Sequence, residues 1–157
     1  DQWKVSSLVV PRSCYTEPEV AAVGMTKAEA KAAGIAIDTF SSGLAHNDRV
    51  ILEGHDDDGG VVEIHCEAGS DKILGATIVA RGAGDMINEL TLAIQAGIGL
   101  GVIARVIHPY PTVAEGVMQA GLGYIRKHWA KLGQAPPPPP PTLPPPLVAG
   151  GDGAGLD

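Results

Sequence analysis

Residues 61–67 and 72–80 are both rich in Val and Ile, and only Ala68 and the turn-forming Gly69-Ser70-Asp71 lie between them. A parallel pair needs a crossover of roughly a dozen residues or more, so two strands this close must run antiparallel. Residues 48–53 read as a further strand, joined to the first of these by the tight turn Asp56-Asp57-Asp58-Gly59-Gly60. Residues 5–10 and 20–23 read as strands, and residues 35–40 join them by alternating apolar and polar positions. Helices punctuate this set. Thr26 and Glu29 have the spacing of a capping box, ahead of an Ala-rich helix that stops at Gly34. Residues 83–97 place Met86, Ile87, Leu90, Ala93 and Ile94 on one broad apolar face. The expected fold is α+β, a two-layer sandwich in which an antiparallel sheet of about five strands packs against helices.

Composition sets outer limits. A chain of 157 residues, 45% hydrophobic and 18% charged, is one domain with a real core. Its formal charge of −7 argues against a nucleic-acid groove, which needs clustered Lys and Arg. No apolar run approaches the ~18 residues of a membrane span and no signal peptide opens the chain, so the expectation is a soluble intracellular protein. Asp1 in place of a start methionine suggests a piece of something larger.

The sequence divides near Leu132. Nine of thirteen prolines and just two charges, Asp152 and Asp157, follow it. The expectation is a folded domain over 1–132 and a proline- and glycine-rich disordered tail over 133–157. That tail reads as a polyproline II spacer, with a ligand for an SH3-like groove as the other reading.

Several tempting motifs fail on spacing. Asp56, Asp57 and Asp58 lack the alternating oxygen ligands and distal Glu of a calcium loop. His46, His55 and His65 share no ligand spacing, so no metal site is expected. Gly97-Ile-Gly99-Leu-Gly101-Val-Ile-Ala104 matches a dinucleotide fingerprint but follows a helix rather than a strand. Its glycines are expected to end that helix and let backbones approach. Cys14 and Cys66 are far apart and read as small buried residues in strands. Leu92 falls on the polar arc of its helix, either as an isolated exposed leucine or as a contact to another surface.

The segment Ile107-His-Pro-Tyr-Pro-Thr-Val-Ala-Glu115 carries the most information. Its two prolines hold the backbone around Tyr110 extended, and Thr112 to Glu115 reads as a second capping box. The helix that follows carries an apolar stripe of Met118, Leu122, Ile125, Trp129 and Leu132, with Val117, Gly121 and Tyr124 to one side for a second surface.

Four ordered motifs carry a resemblance: Tyr15-Thr-Glu-Pro-Glu-Val-Ala-Ala-Val-Gly24, Leu74-Gly-Ala-Thr-Ile-Val79, Ala83-Gly-Asp-Met-Ile-Asn-Glu89 and the 107–115 segment. Together they resemble the C-terminal dimerisation domain of class I pyridine nucleotide-disulfide oxidoreductases, from about Ser7 to Lys131. The resemblance implies FAD and NAD(P)H as cofactors of a parent enzyme whose FAD and nicotinamide domains precede this one. It implies a homodimer in which the 107–115 segment enters the partner's disulfide site. Alignment on Pro111, Thr112 and Glu115 puts Tyr110 at the acid/base position, similar to mercuric reductase-like members, with Glu115 orienting it. His108 is the surrogate base if the alignment slips by two. The backbone of Pro109, Tyr110 and Pro111 is implied to lie near the partner flavin. The helix faces add Leu92, Thr112, Val117, Gly121 and Tyr124 as expected interface residues. An unperturbed phenol titrates near ~10, so Tyr110 is a poor base at neutral pH but a good hydrogen-bond donor. On this reading the chain alone neither binds FAD tightly nor oxidises NADPH. The other reading is a non-catalytic dimerising module with the proline tail as its recruiting element.

Overall fold

The computed structural model describes Lys4, residues 7–54 and residues 60–132. The tail over 133–157, His55 and most of the 56–60 turn lie outside these residues. Five strands form one antiparallel sheet: β1 (Arg12–Cys14), β2 (Glu19–Gly24), β3 (Ile37–Gly43), β4 (Val61–Glu67) and β5 (Ile73–Ala80). Their order is β1-β2-β5-β4-β3. The helices are α1 (Lys27–Ala32), α2 (Asp48–Leu52), α3 (Ala83–Ala96), α4 (Leu100–Ile103) and α5 (Glu115–Leu132). The expected α+β architecture is present.

The β4–β5 hairpin closes as its spacing requires. Glu67 donates its N–H to the Lys72 carbonyl at 3.0 Å, and the Ser70 hydroxyl accepts from Lys72 N–H at 2.9 Å. Gly69 takes φ +79° in the turn, a conformation that a side chain would strain. Alternate residues then face one side: Val62, Ile64 and Cys66 from β4, Ala76, Ile78 and Ala80 from β5, Ala21 and Val23 from β2. Onto this face α3, α4 and α5 lay Ile87, Leu90, Leu100 and Val117, all fully buried. Each such side chain contributes about 1.5–3 kcal/mol by leaving water.

The β2-to-β3 connection crosses the opposite face. Gly75 of β5 has no side chain because the Met25 backbone lies directly over it. The Thr26–Glu29 capping box starts α1: Thr26 Oγ1 accepts from Glu29 N–H at 3.2 Å, and Glu29 Oε2 accepts from Thr26 N–H at 2.8 Å. That backbone donor holds the Glu29 carboxyl below its usual range. Gly34 and Gly97 follow α1 and α3 at positive φ, as their sequence positions predict.

Five expectations need correction. Among the described residues the first strand is β1, and residues 7–10 of the expected first strand lie outside the sheet; at Val9 the backbone N–H goes to Gln95 Oε1 at 3.1 Å rather than to a neighbouring strand. The expected strand over 48–53 is instead helix α2 (Asp48–Leu52) with Glu53 as its C-cap, because the Asn47 side chain caps its start and Arg49 pairs with Glu53 one turn on at 2.6 Å. The apolar face of α5 is rotated from the expected one: Val117, Ala120 and Gly121 are buried on the core side together with Ile125 of the expected stripe, while Met118, Leu122 and Trp129 are half-buried. Close approach supports this packing, since a side chain at Gly116 would collide with Leu44 and one at Gly121 would press against Ala104. The Thr112–Glu115 box does not form, because Glu115 is the first helical residue and the Thr112 hydroxyl donates to the Pro109 carbonyl at 2.7 Å. Cys14 is exposed on the edge strand β1, whereas Cys66 is fully buried.

The two thiols should therefore react differently. Burial pushes the Cys66 thiol up to about 12, so its thiolate is scarce at neutral pH. A maleimide or iodoacetamide should label Cys14 alone in the native protein and Cys66 only in denaturant, as read by intact-mass spectrometry.

Candidate functional site

Between α4 and α5 the chain forms an arch, residues 105–114, which carries His108, Tyr110 and Thr112. Its tip is open to solvent: Ile107 is 93% exposed and Tyr110 70%. Its underside is tied down. The His108 ring contacts the Val106 carbonyl through Nδ1 at 3.1 Å and Glu89 of α3 through Nε2 at 3.1 Å, with the His108 side chain only 6% exposed. Both ring nitrogens are thus engaged inside the chain, and His108 braces the arch as a strut.

The far foot of the arch is held by the residues that open α2. Asn47 uses its side-chain oxygen to accept from Arg49 and Val50 N–H groups at 3.1 and 3.2 Å, which starts the helix. Its amide nitrogen donates to the Thr112 carbonyl at 3.0 Å. The next residue, Asp48, accepts a hydrogen bond from the Tyr110 hydroxyl through Oδ2. Tyr110 also bears the Tyr110–Pro111 cis peptide. The Asp48 hydrogen bond, then its charge, raise the Tyr110 phenol above its ordinary range, with a smaller push from Glu115.

Tyr110, Asp48, Glu115 and His46 line one hollow of about 410 Å³ with Asn47 and Gln119. The expected pairing of Tyr110 with Glu115 has both residues on this hollow. It made Glu115 the phenol's partner, whereas the partner is Asp48. Asp48 and Asn47 were missed; the signal was an Asn followed by an Arg–Glu pair four residues apart, which marks a short capped helix.

Of the expected interface residues, Leu92 is 63% exposed on α3. Val117 and Gly121 are buried within the chain, Tyr124 packs edge-on against Phe40 at 5.5 Å, and Thr112 is half-buried in the arch. His65 is buried in β4, its Nδ1 3.1 Å from the Thr39 hydroxyl, with burial lowering its basicity. His46 lies at the hollow instead, so the two do not meet.

The profile of the pyridine nucleotide-disulphide oxidoreductase dimerisation domain matches residues 10–121. The chain belongs to this family. Among curated relatives, dihydrolipoyl dehydrogenase of Staphylococcus aureus is 40% identical over 124 residues, covering 77% of this chain and 26% of its own length. Mercuric reductase of Streptomyces lividans is 39% identical over 111 residues, covering 71% and 23%. The Cu(II) complex of the HOCl-induced flavoprotein disulfide reductase RclA of Escherichia coli shares the fold, with TM-score 0.69 at 22% identity over 75% of this chain and 26% of that one. The chain thus spans about a quarter of the length of the proteins it matches.

The Asn47 clamp can be tested directly. Asn47→Ala should cost about 1–2 kcal/mol in urea denaturation, by loss of the α2 cap and the Thr112 bond. It should also quicken amide exchange in residues 105–114. Arg49→Ala, which removes an exposed ion pair on the same helix, should do neither.

Proposed function

We propose that this chain is the homodimer-forming module of an FAD-dependent NAD(P)H oxidoreductase acting on a disulfide or related substrate, and that its arch is offered to the partner subunit's active site. The arch carries this reading: a clamped loop that holds a bulky apolar residue and a phenol out in solvent is built to enter something else. Residues 1–132 form the module and residues 133–157 a proline-rich appendage. No helix among the described residues is long and apolar enough to cross a membrane.

The flavin does not fit on this chain's own glycine-rich segment. Gly99 is bare because the Asp71 carboxylate fills the space beside it, and Leu100 N–H donates to the Asp71 carbonyl at 2.8 Å. A carboxylate in that position repels a pyrophosphate, so FAD and NAD(P)H belong to other domains of the parent enzyme. What this chain supplies is position. Tyr110 presents its oxygen to the sulfur side of the partner's site, the backbone of Pro109, Tyr110 and Pro111 lies toward the partner's flavin, and Glu115 adds negative charge behind the phenol. Tyrosine in place of imidazole supports a parent similar to the mercuric reductase-like members. The dimer surface combines Leu92 with the half-buried Met118, Leu122 and Trp129 face of α5.

In the flavin-loaded dimer, Tyr110→Phe should slow the disulfide or substrate half-reaction roughly tenfold to a hundredfold, leaving flavin reduction by NAD(P)H intact. His108→Ala, which removes a strut, should cost less; a larger loss there would return the acid/base role to the imidazole. Stopped-flow traces separate the two half-reactions. Self-association is a separate matter. Leu92→Glu combined with Leu122→Glu should convert a dimer to monomer in sedimentation, and a wild-type chain that stays monomeric at high micromolar concentration contradicts the proposed surface.

A further inference from the structure

The phenol of Tyr110 has one proton, and in this structure that proton is directed at Asp48. A hydroxyl that has committed its donor retains only acceptor lone pairs for any other contact. The groups facing the phenol are Asp48 from α2, Glu115 from α5 and His46 from the loop before α2. No Lys or Arg lines the hollow among the described residues, and Arg49, next in sequence, is turned to Glu53 at 2.6 Å. The Asn47–Thr112 bond holds α2 and the arch at the separation this pairing needs.

We propose that Asp48 is the positioning residue of Tyr110: it takes the phenol's hydrogen bond, so that the phenol oxygen meets the incoming group as an acceptor. The group it suits is a hydrogen-bond donor, a neutral thiol S–H, and the group it disfavours is an anionic thiolate. For its place in a reaction this inference rests on the arch entering a partner's disulfide site. The pairing itself is a property of this chain.

That separation shapes the experiment. The full chain has three tyrosines, Tyr15, Tyr110 and Tyr124. Alkaline titration followed by tyrosinate absorbance, with Tyr110→Phe as the subtraction, isolates the Tyr110 step. In wild type this step should lie above the ordinary phenol range of about 10. Asp48→Asn, which keeps an acceptor and loses the charge, should move it down. Asp48→Ala, which loses both, should move it at least as far, and Arg49→Ala on the same helix should leave it in place. An identical midpoint in wild type and both Asp48 variants overturns the proposal.

The second arm uses the flavin-loaded dimer. Asp48→Asn should ease ionisation of the facing thiol, and so shift the thiolate-dependent limb of the disulfide half-reaction to lower pH. An Asp48→Asn profile identical to wild type overturns the acceptor role. If Tyr110→Phe has no effect on either half-reaction while the chain's titration still responds to Asp48, the pairing stands and the catalytic reading of the arch falls.

Discussion

Burial of one face of β5 organises the rest of this molecule. β5 is paired on both sides, with β2 and with β4, so its backbone groups are satisfied and its inward side chains can be wholly apolar. Ile78 and Ala76 sit at that centre, and the three helices that follow β5 in sequence all return to the same face. Once α3 is laid on β2 and β5, and α5 on β3 and β4, the segment between them must leave the sheet and come back. The arch is that excursion. Its position is therefore a consequence of the core.

Local polar contacts then convert an excursion into a site. Asn47 is the pivotal side chain, since the oxygen of its amide starts a helix while the nitrogen holds a loop. A hydroxyl or carboxylate could cap α2, but a carboxylate could not also donate to Thr112. Once α2 is in place, its first residue, Asp48, stands beside the phenol. The acidic pair Asp48 and Glu115 makes the surroundings of Tyr110 negative, which opposes a phenolate and keeps the side chain neutral.

Much of this was legible in the sequence. The hairpin at Gly69, the capping box at Thr26 and the apolar period of α3 are strong local signals, and each agrees with the packing that buries it. Legibility failed where the deciding force was not local. Val50-Ile51-Leu52 looks like a strand by hydrophobicity, yet only Val50 is buried and five residues are too few to show a helical period. On α5 the larger side chains suggested the core face; Ile125 does lie there, but most of the core contact is made where Gly116 and Gly121 let neighbours come close. At the candidate site, Tyr110 and Glu115 stood out because the segment is unusual. Asp48 did not, because nothing in sequence connects it to a residue 62 positions away.

The two feet of the arch are pinned in different ways, Gly121 against Ala104 at one end and Asn47 to Thr112 at the other, with His108 bracing the middle. A free ten-residue loop would surrender conformational freedom each time it engaged a partner, at about 1–2 kcal/mol for each residue fixed. Here that loss is incurred once, when the chain folds. Association then has little left to order in the loop, so more of whatever the exposed tip gains on contact remains as binding energy.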